Sequence, residues 1–305
     1  ELHEDTSWSC SHGIDRWRAD CGCGNINEPG WNQQWRAPLR AAFDWLRDAV
    51  RPLWNVAATQ LFHDPDAARD GYIHVLLDRN PTSQQRFLNT YATRQPNTEE
   101  RVKILKLMEL ERHIQLMYTS CGWFFDDLAG IETVQIISYA GRVLQLAAEL
   151  FGNAGAELEK EFLVRLAEAR GNVPEQIAPE QINGADIYRK SVAPQKIDLE
   201  QVGARYAIVS LFETQSEKTA QYCYDIRCKS CEVLTSGRGH FTYGQAEICS
   251  QITLECASVD FAVLHLGDQN LFAIDRRTDI TNGNNFQNFA TEIRQAVARA
   301  DLPEA

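Results

Sequence analysis

The chain has no run of 18 apolar residues, so no segment reads as a bilayer span. It also lacks a positive balance: 30 Lys and Arg stand against 42 Asp and Glu, a net charge of −12. A field of that sign repels nucleic acid and anionic membrane surfaces, and neither is expected as a partner. No signal-peptide apolar stretch follows Glu1, and Glu1-Leu2-His3-Glu4-Asp5 reads as sequence from inside a longer protein. There is no internal repeat, low-complexity tract, P-loop, GxGxxG element or Ser-His-Asp set. Gly237-Arg238-Gly239 is a hairpin turn by preference, with no helix behind it to hold phosphate.

Cysteine is present but does not form a secreted framework. The nine residues are odd in number and scattered, which fits reduced thiols in a cytoplasm. Most of them read as small buried hydrophobes. Three fall in the first 36 residues, beside four of the seven tryptophans.

The 305 residues suffice for one large domain or two ordinary ones. Residues 1–35 show no sustained period. From Pro38 onward the spacing predicts helices: one through Leu39, Phe43, Leu46 and Val50, which Pro52 kinks or ends, and shorter ones over 64–96. The clearest begins at Asn97, where Asn97 and Glu100 have capping-box spacing and the apolar residues that follow cover more than one face. Others are expected over about 131–151 and 154–170. The stretch 171–197, punctuated by Pro174, Pro179 and Pro194, reads as a linker or surface excursion. Asp198-x-x-Gln201 starts another helix. From about Gln221 short strands follow, and an amphipathic helix at about 285–300 closes the chain. The expected fold is α+β: a Trp/Cys-rich loop segment plus helical bundle domain over 1–197, then over 198–305 a helix, a small antiparallel β-sheet and a C-terminal helix.

Four constellations carry chemistry. Cys10-x-His12 with Cys21-x-Cys23 supplies three thiols and an imidazole, enough to close a tetrahedral metal site, although the spacing is not the common Cys-x-x-Cys. The plainer reading is an ordered turn with packed thiols. Cys223-x4-Cys228-x2-Cys231 resembles part of a ferredoxin motif, but in a regular strand Cys228 faces away from the other two. Trp8, His12, Asp15, Arg16, Trp17, Arg18, Asp20, Trp31 and Trp35 mix indoles with hydroxyl-binding groups, as sugar sites do; an aromatic core with surface charge is the alternative. Ser120-Cys121-Gly122-Trp123-Phe124-Phe125-Asp126-Asp127 follows the long buried helix. Its adjacent Asp126 and Asp127 are the candidates for proton transfer, or else cap the next helix.

Thr6-Ser-Trp-Ser-Cys-Ser-His-Gly-Ile-Asp-Arg-Trp17, Asp20-Cys-Gly-Cys23, Gly30-Trp-Asn-Gln-Gln-Trp-Arg-Ala-Pro-Leu39, Thr119–Asp127 and Phe261–Asp268 resemble an uncharacterised C-terminal domain of bacterial family 57 glycoside hydrolase-like proteins. The resemblance implies an N-terminal β/α barrel, upstream of Glu1, carrying the catalytic Glu and Asp. It also implies that the helical region completes an oligo- or polysaccharide cleft. Trp123 sits where family members place an aromatic, but Cys121-Gly122 stands where they have Asp, so no Asp role carries over.

The expectation is therefore a non-catalytic, cytoplasmic part of an α-glucan-acting enzyme, inactive alone. Trp8, Trp17, Trp31, Trp35 and Trp123 would stack on sugar, and His12, Arg16 and Asp20 would bind hydroxyls. No cofactor is expected unless Cys10, His12, Cys21 and Cys23 hold a metal. That metal or redox module, and a purely structural docking domain, stand as the alternatives.

Overall fold

The computed structural model describes residues 3–4, 6–7, 9–24, 28–172, 182–213, 217–236, 239–267, 270–277 and, between 288 and 295, residues 288, 291, 292, 294 and 295. The chain divides into two compact units, Glu1–Lys196 and Ile197–Ala305. One is helical and the other is built on an antiparallel sheet, so the fold is α+β.

The first unit opens with a 3-10 turn, Gly13–Trp17, and then α1, Arg36–Leu61. Leu39, Phe43, Leu46, Val50 and Trp54 recur at helical spacing and are all buried. Pro52 lies inside α1 without ending it. The two short helices α2 (Pro65–Gly71) and α3 (Ile73–Leu77) precede α4 (Pro81–Tyr91). Helix α5, Thr98–Leu116, starts in the full capping box of Asn97 and Glu100. It buries Lys106, Glu109 and Glu111 along with its apolar residues, as a sequence apolar on several faces requires. A single turn, α6 (Cys121–Phe124), leads into α7 (Ile131–Phe151) and α8 (Asn153–Leu166).

The segment after residue 171 departs from the linker expectation. Residues 173–181 lie outside the described set, but α9 (Gly184–Ile187), a π-turn (Tyr188–Val192) and a 3-10 turn (Ala193–Gln195) follow. Ala185, Ile187, Tyr188 and Val192 are buried, and Tyr188 meets Phe162 of α8 edge to face at 6.3 Å. Apolar residues at helical spacing, hidden between prolines, outweigh the polar composition here.

In the second unit, α10 (Leu199–Ser210) begins in the Asp198/Gln201 capping box. Five strands follow as an antiparallel meander in chain order: β1 (Lys218–Gln221), β2 (Tyr224–Ser236), β3 (Gly239–Ser250), β4 (Cys256–His265) and β5 (Leu271–Arg277). Tyr206 and Val202 of α10 pack on Ile226, Ile248, Val259 and Phe261 of one sheet face. The closing helix falls mostly outside the described residues; within it Arg294 pairs with Glu232.

Two cysteine expectations change. Cys249 and Cys256 face each other in the β3–β4 register with Cα atoms 4.1 Å apart and are joined as a disulfide, not reduced. Between Cys228 and Ser230 a bulge shifts the β2 register, so Cys228 and Cys231 oppose Ala246 and Gly244 and share one face. Cys223 lies in the turn before β2.

Candidate metal centre

Cys10, His12, Cys21 and Cys23 converge. One ligand atom from each lies within 4.8 Å of every other, and the Cys23 Sγ is 3.3 Å from the His12 Nδ1. Two short turns bring the pairs together. The 3-10 turn reverses the chain after His12. Gly22 then takes φ +73°, a left-handed conformation that glycine adopts without steric cost, between Cys21 and Cys23. The Asp20 carboxylate accepts from the Gly22 N–H at 3.3 Å, holding that turn.

Two arginines fasten this loop to the helical unit. Arg16, 2% exposed, donates to the Cys23 carbonyl at 2.7 Å and the Phe124 carbonyl at 2.8 Å, with its guanidinium 4.5 Å from the Phe124 ring. Arg36, fully buried, donates to the Phe124 and Phe125 carbonyls at 3.4 and 3.2 Å and reaches the Cys21 sulfur at 4.0 Å. A buried cation is costly unless negative charge lies close. Burial and the nearby Arg16 push the Arg36 guanidinium below its ordinary range, while Cys21 and Asp126 act against that. Burial opposes ionisation of Cys21, but hydrogen bonds from the Cys23 backbone and Cys10 and the Arg36 charge outweigh it, and the thiol sits below its ordinary value. Desolvation and the thiols of Cys21 and Cys10 push Cys23 the other way.

A tetrahedral zinc with Zn–S bonds of about 2.3 Å sets its ligand atoms about 3.8 Å apart. The four donors here all lie within 4.8 Å of one another. An iron–sulfur cluster spreads its thiolates farther, because a multinuclear core lies between them. The donors therefore fit a single ion. Four protein donors fill a tetrahedral shell, leaving no position for substrate.

The tryptophans are placed differently. Trp35 and Trp123 are each 1% exposed and stacked with ring centroids 6.5 Å apart. Phe43 meets Trp123 edge-on at 5.7 Å, and Arg36 and Arg40 lie over Trp35 and Trp123. Both indole N–H groups donate to backbone carbonyls, those of Asp126 and Met117. Their faces are occupied by protein. Trp17 and Trp31 are half-buried, and Trp8 lies outside the described residues. His12 and Asp20 are exposed.

Asp126 is buried, whereas the Asp127 carboxylate accepts from the N–H groups of Ala129 and Asn172 at 3.1 and 2.8 Å. Asn172 also exchanges hydrogen bonds with the Asn32 backbone and donates to the Asp126 carbonyl. Sequence reasoning missed Arg36 and Asn172 as braces, since their partners are backbone groups 88 and 140 positions away. No local pattern marks them. Around Cys223, Cys228 and Cys231 no group of three metal donors forms among the described residues.

Residues 31–305 match the family described as Domain of unknown function (DUF3536), and the chain belongs to that family. No curated protein and no solved structure matches the chain. The four candidate donors precede the matched residues, whereas Arg36, Trp123 and Phe124 fall within them.

Proposed function

We propose that Cys10, His12, Cys21 and Cys23 bind one zinc ion that ties the N-terminal segment to the helical unit. The observation that carries this reading is the convergence of four soft donors within 4.8 Å. Three thiolates around a divalent ion leave one net negative charge, which offsets the buried cations of Arg16 and Arg36. A filled shell makes the role structural rather than catalytic. Elemental analysis of protein grown with zinc tests it: about one zinc per chain is expected, lost in C21S/C23S together with thermal stability. Less than a tenth of an equivalent, or a full equivalent retained by C21S/C23S, overturns it.

A second reading concerns the whole chain: it serves as a non-catalytic accessory part of a carbohydrate-acting enzyme. The motif resemblance supports it, as do the two partly exposed indoles, Trp17 and Trp31, beside the zinc loop in sequence. Retardation of the chain in gels cast with starch or maltooligosaccharide-bearing polymer tests it, and unretarded migration counts against it.

A further inference from the structure

A second site, open to the surface and unrelated to the cysteines, lies along α2 to α4 and the first turn of α5. A pocket of about 460 Å³ is lined by His74, Asp78, Ser83 and Tyr91, among others, and shares Arg86 and Thr90 with an adjoining cleft of about 620 Å³ that also includes Arg101. The smaller pocket is within the size range of small-molecule sites, about 300–1,000 Å³.

Three other arginines in this part of the chain are ion-paired: Arg69 with Asp66 and Asp70, Arg79 with Glu109, and Arg94 with Glu100. Arg86 and Arg101 have no side-chain partner among the described residues, although the chain carries a net charge of −12 and carboxylates are plentiful. Two unpaired guanidiniums on one cleft present forked donors suited to an oxyanion. On the other side of Arg86 the groups suit hydroxyls instead. Asp78 accepts, Ser83 accepts because its hydroxyl already donates to the His74 carbonyl at 3.3 Å, and Tyr91 and His74 donate or accept. The Tyr91 ring lies directly against Gly71, where a Cβ would come within 2.1 Å of its hydroxyl. Glycine at 71 thus lets the ring lie along that wall of the pocket.

We propose that this paired cavity binds a small phosphate monoester with a hydroxylated body, its phosphate held by Arg86 and Arg101 and its hydroxyls facing Asp78 and Tyr91. Calorimetric or NMR titration of the full chain tests it, with glucose 6-phosphate, inorganic phosphate and glucose as separate probes. Saturable binding of glucose 6-phosphate is expected, weaker binding of phosphate, and none of glucose. R86A and R101A should each weaken the ester by about tenfold, a loss in keeping with one charge-assisted contact. D78N should reduce the preference for the ester over phosphate and leave phosphate binding unchanged. Circular dichroism and the thermal midpoint of each variant establish that it is folded, and R86K supplies a second, charge-retaining variant. Absence of binding at 10-millimolar ester, or binding unchanged in both R86A and R101A, overturns the site. Equal affinity for ester and phosphate overturns the hydroxyl half of the proposal.

Discussion

Arg16 and Arg36, two buried cations, donate to the same acceptor, the carbonyl of Phe124. Like charges so placed repel, and the arrangement holds only if negative charge lies near both. At Arg36 the Cys21 sulfur and the Asp126 carboxylate oppose that repulsion, and the zinc proposed above would hold further thiolate charge beside both arginines. On that proposal the braces and the metal are coupled. Arg16→Leu and Arg36→Met each remove a donor that orients the loop, and outer partners of this kind are worth about 10–100-fold in metal affinity. A competition titration against a zinc chelator should show a loss of that size. Retention of zinc at wild-type affinity by both variants would sever the link.

A second network, in α5, sets the response to acid. The Glu109 carboxylate is buried, which favours its neutral form. Hydrogen bonds from Tyr72 and Arg79, both at 2.7 Å, and the Arg112 charge outweigh burial and hold it below its ordinary value. One turn on, burial keeps His113 below its ordinary value of 6.5, and the contact with the Glu109 backbone only partly opposes this. Both groups bind protons more readily unfolded than folded. Stability from His113 is complete above pH 6.5 and erodes as pH falls below it. Stability from Glu109 is complete above pH 4.5 and erodes below that. Urea midpoints at a series of pH values should fall in two stages for the wild-type chain. H113Q should lack the upper stage, while E109Q starts lower and shows a smaller lower stage, since Glu159 is also held below its ordinary value. Comparing each variant with wild type at the same pH cancels any acid release of zinc. An unchanged upper stage in H113Q would refute its assignment.

Most of the helices are legible in the sequence because their signals are local. The Asn97 and Asp198 caps and the period of α1 and α7 each need only a few neighbouring residues. The π-turn at Tyr188–Val192 and the β2 bulge are not local: each depends on what the strand or helix packs against. The candidate metal donors are visible as residue types, but their convergence depends on Gly22 and the 3-10 turn, which spacing rules for Cys-x-x-Cys do not encode. Trp35 and Trp123 show the limit most plainly. An indole in a Gly-rich motif reads equally as ligand platform or core, and only tertiary packing decides.

The bulge in β2 makes its own prediction. A Cβ on Gly244 would sit 2.1 Å from the Ser230 carbonyl oxygen and 3.0 Å from the Cys231 Cα. Both are backbone atoms in a paired strand and cannot swing aside as a side-chain tip can. Gly244→Ala should cost about 3 kcal/mol, at the upper end for an added methyl group. Thermal unfolding of the isolated variant reads this directly. A midpoint within about a degree of wild type would mean that the β2–β3 register differs from the one described.

The tryptophans separate core from carbohydrate contact. Trp35→Ala removes a ring whose faces meet Trp123 and Arg36, and about 3–5 kcal/mol of stability should go with it. Trp17 and Trp31 are only half-buried, so alanine there should cost far less. If the chain binds glucan, these two positions carry the stacking that remains open to solvent. Trp17→Ala and Trp31→Ala should then abolish retardation in starch gels while leaving the thermal midpoint within a few degrees. Retardation undiminished in the double variant would remove the aromatic basis of the accessory role, whatever becomes of the zinc site. Loss of retardation only in variants that also unfold would show that the gel reports the fold rather than a sugar contact.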